Sequence, residues 1–178
     1  MAADLRPVLS LARVSVAAAL GRDRALRREI RAALRSGATL RRLDETLLQL
    51  VPFAGYARAI NAFATLQEIA PHAPRTVRRG SDLRRRGEAL CRRIYGPVYD
   101  RMIARMAGFH PDLAEWILAD GYGRVLSRPG LPIRERELIV VAVLSALRLP
   151  KQLESHVRGA LRVGATEREV SAVQAIRV

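Results

Sequence analysis

A chain of 178 residues is long enough to bury a core, and 49% hydrophobic residues exclude a disordered polymer. The net charge is +14, but 30 of the 31 basic residues are arginine and only Lys151 is lysine. That bias reads as a GC-rich, bacterial genome writing arginine wherever a positive surface residue is needed, and it argues less for a nucleic-acid partner than a mixed patch would. The single cysteine, Cys91, excludes an intramolecular disulfide and a cysteine-built metal cluster, and it fits a reducing cytoplasm.

The first segment, "MAADLRPVLSLARVSVAAALG", has an apolar run that imitates a secretion signal. Asp4 and Arg13 interrupt it, and its apolar spacing predicts a helix near 8–21, followed by a second near 24–37 that ends in "SGAT". Residues 43–69 continue as helix. The stretch 70–87, with two prolines and six arginines, reads as a linker that ends in a helix start near Ser81-Asp82. Helices are predicted over about 83–94, 97–107 and 111–126, the last capped around Asp112 and amphipathic through Leu113, Trp116 and Ile117. "SRPGLPIRERE" (127–137) reads as a turn, and helices near 137–148 and 151–164 follow. His72 and His110, beside prolines, read as solvated loop residues. The longest apolar run, Leu138 to Leu147, is about half of the roughly 20 residues that span a bilayer, so no membrane is expected and the chain reads as soluble and cytoplasmic. No segment alternates with period two. The fold class is all-α.

The chain repeats itself at an offset of 127 without gaps. From Arg28 to Thr39 and from Ser155 to Thr166, seven of twelve aligned positions are identical. Upstream, Leu11, Val14, Val16, Ala19, Leu20 and Leu26 recur as Leu138, Val141, Val143, Ala146, Leu147 and Leu153. The repeated unit is a helix, a short connection and a second helix ending in Gly-Ala-Thr. The glycine is a helix stop, and Thr166 with Glu169 forms a capping box for the next helix. Two similar antiparallel helix pairs are expected. Residues 1–69 read as a degenerate half-repeat, 70–87 as the linker and 88–178 as the C-terminal half, packed as one globular unit.

Chemistry concentrates in the second copy. His156 lies on an apolar helical stripe with Leu149, Leu153, Ala160 and Val163, either as a buried histidine holding one hydrogen bond or as a general acid/base. Glu137 opens a helix that is apolar on nearly every face. It either complements the helix dipole or faces His156 across the pair, twelve residues before and seven after Leu149. At the equivalent positions the first copy carries Ser10 and Glu29, so it keeps the packing residues and lacks the acid/base pair.

"GYGRVLSRPGLPIRERELIVVAVLSALRLPKQLESHVRGALRVGATEREV" (121–170) resembles the carboxymuconolactone decarboxylase family, which is related to the alkylhydroperoxidase D proteins. RPGL, REL and H-x5-R-x-G-A-T carry the resemblance; 83–102 fits the family's N-terminal helices, and 47–62 fits the tail after the GAT helix. The resemblance implies an alkylhydroperoxidase D-like helical fold and a homo-oligomer. The peroxidase branch spaces Glu-x11-Cys-x2-Cys-x3-His. Here Leu149 and Gln152 hold the cysteine positions, so thiol peroxidase activity is not expected.

The decarboxylase branch uses neither metal nor cofactor, and none is expected. It implies a lyase acting on a small carboxylated lactone, with His156 as acid, Glu137 fixing its tautomer, and Arg128 and Tyr122 binding substrate. The alternative is a catalytically inert oligomer with a structural or partner-binding role. Nucleic-acid binding ranks third, because the arginines fall on almost every segment and no aromatic-interleaved stripe appears. The second copy stops at "VSAVQAIRV", so helix 53–69, with Phe53 and Phe63, is expected to cover its apolar face within the chain or across a subunit interface.

Overall fold

The computed structural model describes residues 4–73 and 82–178, and every regular element among them is helical. The chain forms two compact units, residues 1–75 with 130–178 and residues 76–129. The boundaries of these units cut the chain at other places than 69 and 87.

In the first unit, α1 (Arg6–Leu20) starts with a proline in its first turn, where a missing N–H costs nothing. It stops at Gly21, whose φ of 66° is left-handed. Then come α2 (Asp23–Arg35), α3 (Leu40–Leu48) and α4 (Val51–Ile69), which is kinked at Gly55. The C-terminal segment adds α8 (Ile133–Ala146), α9 (Pro150–Arg162) and α10 (Glu167–Gln174). The offset of 127 carries α2 onto α9 residue for residue, and it carries the N-cap Thr39 onto the N-cap Thr166. Gly37 and Gly164 both have positive φ, 89° and 97°. Two pseudo-repeated helix hairpins, as expected from the sequence, thus share one packing plan.

At the centre α1 lies against α8, with α2 and α9 packed on either side. Nearly every face of α1 between Leu11 and Ala19 is buried, as is all of α8 from Arg136 to Leu144. Each large aliphatic side chain so buried contributes about 1.5–3 kcal/mol. The chain ahead of α8 turns earlier than the sequence predicts. The turn ends at Pro132, and the charged run Arg134-Glu135-Arg136-Glu137 is already helical.

The second unit holds α5 (Leu83–Tyr95), a 3-10 turn (Gly96–Val98), α6 (Tyr99–Phe109), α7 (Pro111–Trp116) and a π-helix (Ile117–Leu126). Asp82 caps α5 by accepting from Arg85 N at 3.0 Å, so the helix begins inside the predicted linker. Residues 74–81 of that linker, Ser81 included, lie outside the described residues. The single helix expected over 111–126 is corrected. It changes to the wider π form after Trp116, with Ser127 N bonding Tyr122 O at 2.8 Å. Its predicted apolar face does not form: Trp116 is 62% exposed and Leu113 is 38% exposed. Close helix packing explains why the inner side carries glycine. A Cβ on Gly87 would stand 1.8 Å from Leu118 O, and one on Gly123 would stand 2.0 Å from Leu83 O.

Candidate functional site

The run Arg134-Glu135-Arg136-Glu137 opens α8 with four charges, and each finds a polar partner on another element. Arg134 pairs with Glu169 of α10, and Glu135 pairs with Arg42 of α3. Arg136, 1% exposed, donates to Glu45 of α3 at 2.8 Å and to Gln49 at 3.3 Å. Glu137, fully buried, accepts from His156 Nδ1 of α9 at 2.9 Å. Successive helical residues point about 100° apart, so four neighbours reach four directions. Burial by itself would raise the Glu169 carboxyl. The Thr166 backbone N–H, Arg134 and the Thr166 hydroxyl outweigh it and hold the carboxyl below its usual value.

The Glu137–His156 pair therefore sits inside a polar layer built into an apolar core. His156 is 6% exposed. Phe53 of α4 meets its ring edge-on, with centroids 5.4 Å apart and planes at 82°. The other oxygen of Glu137, Oε1, is buried without a hydrogen-bond partner. A buried carboxylate oxygen left so is costly, which sets this residue apart from a carboxylate merely complementing a helix dipole. Helix α8 starts four residues before Glu137, so the residue also lies beyond the first turn, where the dipole acts most strongly.

Phe53 answers part of the expectation for helix 53–69, since it touches the second copy directly. Helix α4 otherwise packs on α2, α1 and α3, with a lesser contribution to α8. Phe63 packs on the same core while Tyr56 and Ile60 face outward.

Of the other two residues singled out from the sequence, both belong to the second unit. Tyr122 is buried in the π-helix, and its hydroxyl donates to that of Tyr95 at 2.8 Å. Arg128 follows the π-helix, half-buried, with its backbone N–H on Val125 O. Among the described residues no group of three or more His, Cys, Asp or Glu side chains could hold a metal ion. No described helix is long and apolar enough to cross a membrane.

Sequence reasoning missed Arg136, Glu45 and Gln49. One signal pointed to the first of them: at the offset of 127 Arg136 falls on Leu9, an apolar position of α1. The reading of His72 as solvated is also corrected. Its Nδ1 bonds Ala70 O at 2.9 Å and its Nε2 bonds Asp44 Oδ1 at 3.0 Å, tying the end of α4 to α3. His110 is exposed as expected and serves as the N-cap of α7.

Compared with known families, residues 6–68 and 111–178 match the carboxymuconolactone decarboxylase family. Both copies of the repeat fall inside the match, whereas 83–102 lies outside it. Peroxisomal protein 2 of Schizosaccharomyces pombe is 31% identical over 141 residues, covering 76% of this chain and 66% of that protein. The 4-carboxymuconolactone decarboxylase of Acinetobacter baylyi is 35% identical over 71 residues, 40% of this chain and 53% of that enzyme. Peroxisomal protein 2 of Saccharomyces cerevisiae is 24% identical over 165 residues, 75% of this chain and 58% of that protein. The chain thus spans between about half and two thirds of the length of these curated relatives.

Proposed function

Because the chain belongs to the carboxymuconolactone decarboxylase family, we propose that it is a cofactor-free carboxy-lyase acting on a small carboxylated lactone-type acid, with Glu137 and His156 as its proton-handling pair. The observation that supports this most is the buried 2.9 Å contact between Glu137 Oε2 and His156 Nδ1. Donation from Nδ1 fixes the tautomer, so that Nε2 faces the reacting carbon. Breaking the bond to CO2 leaves its electron pair on a dienolate, which takes a proton at carbon from the imidazolium. Glu137 stabilises the imidazolium before the transfer and holds the neutral Nδ1–H tautomer after it, and a proton from solvent then recharges Nε2. The substrate-binding roles that the family resemblance implies for Arg128 and Tyr122 are tested by Arg128→Gln and Tyr122→Phe in the same assay. Self-association covering Tyr56 and Ile60, a bacterial source and a cytoplasmic location belong to the same proposal.

The reading is tested by following loss of lactone-acid absorbance with wild type, His156→Gln and Glu137→Gln. Losses of about 100-fold or more are expected for His156→Gln. Turnover by wild type that survives in His156→Gln would remove this residue from the chemistry. A second reading has its own support: the 6% exposure of His156 also suits a structural pair in an inert, oligomeric family member. In that case no acid is turned over, and both variants lose only stability.

A further inference from the structure

Helix α2 carries Arg24, Arg27, Arg28, Arg31 and Arg35 on one side, where together they line a single shallow surface pocket. Of its apolar residues, Ala25, Leu26, Ile30 and Ala33 are buried, and Leu34, half-buried, packs against the core. Several exposed arginines elsewhere sit in ion pairs, such as Arg84 with Glu115, Arg85 with Asp82 and Arg124 with Asp120, but none of those lies in a row of five on one helix face. On α2 only Arg27, with Glu68, and Arg28, with Glu29, do so. Arg24, Arg31 and Arg35 stand one to two turns apart without an acidic partner among the described residues.

The repeat supplies an internal control. The same face of α9 carries Lys151, Glu154, Ser155, Arg158 and Arg162, and Glu154 pairs with Arg158. Packing of this helix therefore does not require the arginines of α2. The copy without the Glu137–His156 pair is the one with the uncompensated basic face.

We propose that this face of α2 binds the phosphate backbone of duplex nucleic acid without reading its sequence. From Arg24 to Arg35 the helix rises about 16 Å, a length over which a duplex presents roughly nine or ten phosphate charges. Single strands are held by stacking on aromatic side chains, and α2 has none. Its exposed face offers no large apolar residue to enter a lipid surface. A second copy, itself at +14, is a poor counter-charge.

The test uses the full chain and a fluorescent duplex of roughly 20 base pairs, titrated by anisotropy between about 50 and 200 mM salt. The variant Arg24→Gln/Arg31→Gln/Arg35→Gln is compared with Lys151→Gln/Arg158→Gln/Arg162→Gln, which removes the same charge from the matching face of α9. The α2 variant is expected to lose about tenfold or more in affinity, and its salt slope to fall by about 0.9 per arginine removed. The α9 variant is expected to stay within about threefold of wild type, and both to keep the wild-type circular dichroism. Equal loss in the two variants overturns the assignment to α2. Absence of duplex binding at low salt overturns it altogether, and binding to vesicles rich in anionic phospholipid without duplex binding assigns the face to a membrane instead.

Discussion

Arg148 occupies the left-handed backbone that Gly21 occupies one repeat earlier, with φ of 56° against 66°. The hydrogen bonds match as well: Gly21 N to Ala18 O and Arg22 N to Ala17 O recur as Arg148 N to Ser145 O and Leu149 N to Leu144 O. The fold needs this turn in both copies, and only the first copy has the residue that adopts it without strain. Arg148 is exposed. Arg148→Gly is therefore expected to stabilise the protein by about 1 kcal/mol, visible as a rise of roughly 2–4 °C in Tm. A fall in Tm on calorimetry would show that Arg148 contributes more by its side chain than its backbone costs.

Arg136 and Glu45 form an ion pair shut away from water. Removing one partner leaves a buried charge uncompensated, so Arg136→Met or Glu45→Leu alone should cost about 3–5 kcal/mol. The double variant should cost clearly less than the sum, because no buried charge remains. Urea unfolding of the three variants gives the coupling. Additive losses would mean that the two side chains do not depend on each other.

Much of this architecture was legible before any coordinates. Leu11, Val14 and Val16 recur at a constant offset because both copies must fill the same interior, and that constraint shows in apolar spacing alone. Glu137 and His156 could be paired because a short connection forces their helices to fold back. The partners of Arg134, Glu135 and Arg136 were hidden: a charged run ahead of a helix looks the same whether it is solvated or paired, and its partners lie far away in the chain. The π-helix was hidden too, since its i to i+5 bonds leave no apolar rhythm of their own. His72 was misread because its anchor, Asp44, becomes its neighbour only through folding.

In the second unit Gly87 and Gly123 let α5 and the π-helix approach at backbone distance. Gly87→Ala places a methyl group against Leu118 O, at a backbone that cannot rotate aside. A loss of about 1–3 kcal/mol is expected, whereas Gly108→Ala, where nothing lies within 4 Å, should be neutral or stabilising. Thermal melts of the two variants, read by tryptophan fluorescence of Trp116, provide the comparison.

His72 donates from both ring nitrogens in its bonds to Ala70 O and Asp44, which requires the protonated ring. The Ala70 carbonyl first, and then Asp44, hold its pKa above the ordinary value against the opposing effect of burial. A raised folded pKa adds stability that is fully present below about pH 6.5 and is lost as pH rises through the folded value. The stability gap between wild type and His72→Gln should therefore be wide at acidic pH and shrink as pH rises above neutrality. A gap independent of pH in urea titrations would assign the clamp to packing.

The pairing of α1 with α8 has a consequence for the nascent chain. The two central helices come from opposite ends of the first unit's sequence, with residues 76–129 emerging between them. On the ribosome the face of α1 that meets α8 has to wait uncovered until the chain has been made through Ala146, although α2, α3 and α4 can cover its other sides sooner. Contacts this distant in sequence slow folding, and waiting apolar surface is what chaperones and aggregation both act upon. The second unit, whose contacts are local, is under no such delay and can form while the first is still incomplete.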